Sequence, residues 1–575
     1  MNKHAPRNAS PLAPFMQKTK KALAYAAVFS LCINLLMLAL PIYSLQVLDR
    51  VLSSRSVETL ISLTIIMIVA LIFFGVFYAV RSFILNAISE WLDKEVSPIL
   101  LRDAVAKSSL GLNVSASQHQ RDLGIIRNFI SSAAGTLLDA PWSFIFIFVI
   151  YMINPILGLL AVSGMIILIG FGLLNEFSTR PLFEKASKEQ MNSHYMADIA
   201  GKNSEAIEAM GMMNQVEATW REHQQAASKD TQHANKRSYV IQSISRVLRL
   251  MVQIGVTGVG GYLALYNELS VGGMIAGSIL VGRALAPFEN AIGIWKSWIA
   301  TRESYARLNR ALSSSKAIER GTLELPEPRG IVTVENLIFT PPNSAPIIKG
   351  VTFGIKSGES LGIIGPSAAG KSTLAKLIIG LLPPNHGAAR LDGAETFKWN
   401  RENFGKYVGY MPQSVDLFTG TIKDNVARMD KSATMDDVIA ACKMAEVHEM
   451  ILRLPNGYET QVNPQLNGMS PGQRQRIGLA RALYKNPKFV VLDEPNSNLD
   501  GEGERALLLA LQRMKKAGIT SIVVAHRPSV VSNVDKLLVL KAGTIERFGP
   551  TKEVIQNYQA DNANAPKPVP QGGAS

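Results

Sequence analysis

Before residue 300, apolar runs of roughly 20 residues recur six times, at 22–43, 60–80, 134–153, 156–174, 250–266 and 271–292. At 1.5 Å per residue each can cross about 30 Å of hydrocarbon, and buried helices of soluble proteins rarely combine such length with so few charges. The pattern predicts six membrane spans. Further on, the period changes. Short apolar runs at 360–364, 489–494 and 521–525 read as buried strands, whereas 373–379 and 474–483 read as helices. The division expected is a tail at 1–20, a six-span domain at 21–300, a linker at 301–328, an α/β domain at 329–559 and a disordered tail at 560–575, rich in Pro, Ala, Gly and Asn.

Basic residues orient the spans. Lys18, Lys20 and Lys21 precede the first span, Lys94, Arg102, Lys107, Arg121 and Arg127 lie between the second and third, and the connection 175–249 is richer still. These belong in the cytoplasm. The opposite connections are short and nearly free of Lys and Arg, Arg50 and Arg55 excepted, so both chain ends and the α/β domain are expected inside. Periodic apolar positions at 203–213 make the long basic connections helical extensions of the spans. The net charge of +14 is thereby accounted for by positive-inside topology and anionic lipid, with no nucleic-acid module in view. Cys32 and Cys442 build neither a disulfide framework nor a metal site. The first apolar run is too long for a cleaved signal peptide and reads as an anchor.

Within the α/β domain, Gly365-Pro366-Ser367-Ala368-Ala369-Gly370-Lys371-Ser372-Thr373 lies between a predicted strand and a predicted helix. This is the context of a phosphate-binding loop: backbone N–H groups and the helix dipole face a phosphate chain, Lys371 bridges the β- and γ-phosphates, and Ser372 holds Mg²⁺. Gln413 follows 42 residues after Lys371. Then come Met469-Ser470-Pro471-Gly472-Gln473, the apolar strand ending in Asp493-Glu494, Asn498-Leu499-Asp500 and His526. This ordered array resembles the nucleotide-binding domain of ATP-binding-cassette (ABC) proteins, with Walker A, Q-loop, signature motif, Walker B, D-loop and switch histidine in turn. The resemblance implies ATP and Mg²⁺ as cofactors.

At the carboxyl end of its strand, Asp493 is placed to reach Mg²⁺ through water. Glu494 is the candidate general base, Gln413 touches metal or water, and His526 contacts the γ-phosphate. Ser470, Gly472 and Gln473 open a helix and form a second anion site with nothing in their own chain to bind. In the family such a site, with Asp500, completes the ATP site of the opposite subunit, so a homodimer is implied. Three positions depart from the family pattern. Pro471 removes one N–H but is tolerated in a first helical turn. Ala368 stands for a usual glycine, which is harmless if its φ is negative. Pro341 stands where an adenine-stacking aromatic is common, leaving Phe339 as a substitute.

The membrane half narrows the resemblance. Leu38 through Leu60, including Asp49-Arg50-Val-Leu and Arg55-Ser-Val-Glu58, together with Asp139-Ala-Pro141-Trp142, Gly282-Arg283-Ala-Leu-Ala-Pro287-Phe-Glu289 and Trp295-Lys296, look like the ABC component of bacterial type I secretion systems, the protease and lipase exporter group. That implies ATP-driven export of an unfolded polypeptide across the inner membrane. The partners implied are a periplasmic membrane-fusion adaptor and an outer-membrane channel. About 20 residues before the first span leave no leader-cleaving protease domain expected. In the exporters it resembles, the helical extensions touch the cassettes through short coupling segments. A lipid or drug exporter of the same fold is the first alternative. A nucleotide-sensing ABC protein without transport is the second, against which Glu494 and His526 argue. Arg283, about 12 residues or roughly 18 Å into the last span, needs either a carboxylate partner such as Asp49, Asp139 or Glu289, or a place on a central cavity.

Overall fold

The computed structural model describes residues 11–112, 115–315, 321, 324–342, 344–463, 468–525 and 531–556. The expected disordered tail and most of the amino-terminal tail lie outside the described residues. Two compact units divide between residues 317 and 318.

The first unit is helical. Among the described residues six helical stretches are long and apolar enough to cross a membrane, Ala13–Ser54, Val57–Ser109, Ala116–Ile153, Pro155–Lys202, Met213–Leu265 and Val271–Ser313, and each holds one predicted run. The long extensions are helical as the periodicity predicts. The 53-residue helix Val57–Ser109 is about 80 Å long, far more than a bilayer requires. Its start is set by Ser56, whose hydroxyl accepts from the Thr59 N–H at 3.3 Å. The short helix Ser204–Ala209 sits at the turn between two such extensions.

Several polar residues inside the spans are paired with one another. Arg81 is buried and donates to Asp139 at 2.7 Å and to the Ser30 hydroxyl at 2.8 Å, while Asn34 donates to the same carboxylate at 3.1 Å. Three spans are thus tied through one charge pair. Asp49 accepts from the Gly272 N–H at 2.9 Å and the Ser270 hydroxyl at 2.5 Å, capping the last helix at its start. Glu289 takes Arg246 at 3.0 Å and Arg249 at 2.5 Å. All three carboxylates suggested as partners for Arg283 are therefore engaged elsewhere. Arg283 is exposed on the continuous helix Val271–Ser315, with no carboxylate in salt-bridge reach among the described residues. The pairing expectation fails for a physical reason: Asp49 serves a helix start, and the other two carboxylates already have arginines.

In the second unit the strands are β1 (Val332–Phe339), β2 (Ile348–Ile355), β3 (Ser360–Ile364), β4 (His386–Leu391), β5 (Ala394–Glu395), β6 (Val408–Met411), β7 (Gly420–Thr421), β8 (Gln461–Val462), β9 (Phe489–Asp493), β10 (Thr520–Val524), β11 (Lys536–Lys541) and β12 (Thr544–Pro550). Five of the six strands in the order β12-β11-β3-β10-β9-β6 run parallel, β12 being the antiparallel edge. A four-stranded antiparallel sheet, β2-β1-β4-β5, covers the other side of the core. β9 and β10 are buried at every position, which is why they read as unbroken apolar runs. Parallel strands present their carboxyl ends at one edge, where such sheets bind ligands.

Candidate functional site

At that edge β3 turns through 365–370 into the helix Lys371–Ile378. Gly365 has φ 157°, and a Cβ there would lie 2.1 Å from the Leu540 carbonyl oxygen, so no larger residue fits. Lys371 is 5% exposed, and its ammonium donates to the carbonyls of Gly365 at 3.0 Å and Pro366 at 2.9 Å. Burial lowers its pKa, while Glu494 and Asp493 draw it back up. The charge is thus held in a loop that phosphate oxygens would fill.

Ser372 donates to Asp493 at 3.0 Å, and Gln413 donates to the Glu494 carboxylate at 2.9 Å. Burial raises the Asp493 pKa, partly offset by the Ser372 hydrogen bond. Three separate chain segments therefore converge: the phosphate loop with the helix start after it, the residues just past β6, and the end of β9 with the residue after it. Glu494 has φ 51°, a left-handed backbone that non-glycine residues adopt only when their surroundings impose it. A hydroxyl and a carboxylate this close form an oxygen donor set suited to Mg²⁺. His526 lies outside the described residues.

Ala368 is where the expectation fails. Its φ is 62°, so alanine stands in a left-handed position that glycine would occupy freely. Ala368→Gly is expected to raise stability by about 0.5–1 kcal/mol, the relieved strain exceeding the entropy added to the unfolded chain. Thermal unfolding of the purified chain checks this, and a lower midpoint would contradict it.

Ser470, Gly472, Gln473 and Asp500 are gathered elsewhere, around a cleft of about 570 Å³ whose lining includes Arg453, Arg476 and Asn498 but neither Lys371 nor Glu494. Ser470 caps the helix Pro471–Leu483 through a reciprocal pair: its hydroxyl accepts from the Gln473 N–H at 3.2 Å, and the Gln473 side chain accepts from the Ser470 N–H at 2.9 Å. Pro471 occupies the first helical position, whose N–H would have no partner within the helix. Pro471→Gly is accordingly expected to keep ATP turnover within about threefold of the parent, measured on purified protein. Asp500 accepts from the Gly503 N–H at 2.8 Å, capping the next helix. Phe339 is half-buried and packs against the core.

The sequence reading passed over Gln475. It is buried on the face that also carries Leu479 and Leu483, so a polar side chain at i, i+4, i+8 on an apolar stripe was the available signal.

A family model described as ABC transporter matches residues 348–497, and one described as ABC transporter transmembrane region matches 23–285. The type I secretion system ATP-binding protein PrsD of Rhizobium meliloti is 38% identical over 98% of both chains. The toxin RTX-I translocation ATP-binding protein of Actinobacillus pleuropneumoniae is 31% identical over 94% of this chain and 77% of its own. The leukotoxin translocation ATP-binding protein LktB of Mannheimia haemolytica is 30% identical over 95% and 78%. Among solved structures, a bacterial Atm1-family ABC exporter with ATP bound shares the fold, with a TM-score of 0.79 at 20% identity, covering 96% of this chain and 99% of that one.

Proposed function

This chain belongs to the ABC transporters, as a membrane region and ATPase joined in one polypeptide, and from that premise we propose that it drives export of an unfolded polypeptide in a type I secretion system. The observation that carries the reading is the end-to-end similarity to a type I secretion ATPase, joined to the convergence of Lys371, Ser372, Gln413, Asp493 and Glu494 at one sheet edge. Lys371 and the loop N–H groups hold the phosphates of ATP. Glu494 orients the attacking water and takes its proton, with Gln413 fixing the carboxylate. Ser372 and Asp493 would hold Mg²⁺, which when bound neutralises charge on the β- and γ-phosphate oxygens. Two copies closing head to tail let Ser470 and Gly472 of one complete the site of the other. The working assembly in this reading is a homodimer in the inner membrane, with a periplasmic adaptor and an outer-membrane channel.

The test is secretion of a cargo polypeptide into the medium by cells holding the chain with its adaptor and channel. Lipid or drug efflux without polypeptide secretion would overturn the reading. Arg283 supplies a finer check. Exposed, and without a carboxylate partner among the described residues, it fits a water-filled path for an acidic chain. Arg283→Gln is expected to reach normal membrane abundance and basal ATP turnover while secretion falls at least about fivefold.

A further inference from the structure

Gln475 stands five residues after Ser470, about 7.5 Å along the helix Pro471–Leu483. It is 2% exposed. Its amide nitrogen donates to the Glu494 carbonyl at 3.0 Å and the Ser497 hydroxyl at 3.1 Å, and its amide oxygen accepts from the Asn498 N–H at 3.0 Å. The orientation is fixed chemically, because a backbone carbonyl only accepts and a backbone N–H only donates. The Glu494 N–H is held from the other side by the Val524 carbonyl at 2.9 Å. Nearer the helix start, a Cβ on Gly472 would lie 2.9 Å from the Asn498 carbonyl oxygen. Segment 494–498, whose first residue carries the left-handed φ of 51°, is therefore clamped between β10 and one side of this helix.

We propose that Gln475 is a positioning residue that couples the two ATP sites of the dimer. The inference rests on the composite sites proposed above. The start of the helix faces the ATP held by the partner's cassette, while Gln475 on the same helix holds the backbone of the carboxylate that acts on this chain's own ATP. Closure of Ser470 and Gly472 on the partner's nucleotide moves the helix as one body, and Gln475 carries Glu494 with it. Misplacing a reacting group by 1 Å costs about a hundredfold in rate, so a small helix displacement is enough to gate hydrolysis.

Mixed dimers purified through two different tags test this. One chain carries Glu494→Gln, so hydrolysis comes from the other chain's Glu494. In that other chain, Ser470→Ala, which takes a hydroxyl from the opposite site's phosphate grip together with the cap on its own helix start, is expected to lower turnover about fivefold. Gln475→Met is expected to lower it about tenfold with the KM for ATP within about twofold. Both together are expected to be no slower than Gln475→Met alone, because the link is already cut. Losses that multiply would overturn the coupling. As a control, Ser470→Ala in the chain carrying Glu494→Gln faces the hydrolysing nucleotide and is expected to slow turnover with or without Gln475. Absence of that loss would overturn the composite site, and the coupling with it. If Gln475→Met protein does not accumulate, Gln475→Glu, of the same shape and keeping the acceptor for Asn498, repeats the measurement.

Discussion

Glu494→Gln is expected to bind ATP and hydrolyse it at least about a hundredfold more slowly. The amide keeps the shape of the carboxylate and can still hydrogen-bond Gln413, now 2.9 Å away, but cannot take a proton from water. The left-handed backbone at this position does not depend on the side chain's charge, since it is fixed by the hydrogen bonds of the Glu494 N–H and carbonyl. Binding should therefore survive while turnover collapses, and closed dimers with trapped ATP should accumulate. Phosphate release and retained labelled ATP measure the two sides. Near-parental turnover would remove Glu494 from the role of base.

The second large effect is in the membrane. Arg81→Met is expected to destabilise the protein by about 2–4 kcal/mol, because it leaves the half-buried Asp139 with only the Asn34 amide and no countercharge. Low membrane abundance and early thermal aggregation report the loss. Arg81→Met with Asp139→Leu should recover most of it, since an apolar pair of similar volume restores packing without an orphan charge. A double variant as unstable as the single would show that the hydrogen bonds to Ser30 and Asn34, and not the charge pair, hold these spans.

The spans were legible because membrane length and charge avoidance act on every residue of a run, and buried parallel strands leave equally unbroken apolar runs. The phosphate loop and the carboxylates at the end of β9 were legible because phosphate chemistry restricts residue types over short spacings. What escaped notice depends on partners distant in sequence. Nothing near Arg283 says that Asp139 is paired with Arg81, 58 residues away from it. Nothing in Gly365–Thr373 reveals the positive φ of Ala368, a local strain that the letter alanine conceals. Gln475 looked like one more polar residue of an amphipathic helix until its partners, 19 to 23 residues on, were seen.

The cap that Asp49 places on the last long helix acquires a mechanical meaning when that helix is treated as a lever. The rod Val271–Ser315 has 45 residues, about 67 Å. Its start is pinned to another span by the Gly272 N–H and the Ser270 hydroxyl. With the fulcrum there, a tilt of about 5° sweeps the far end through about 6 Å, more than one helical turn. Angular changes too small to break a packed contact near the pivot thus become displacements at the opposite tip as large as those by which helices ratchet past one another.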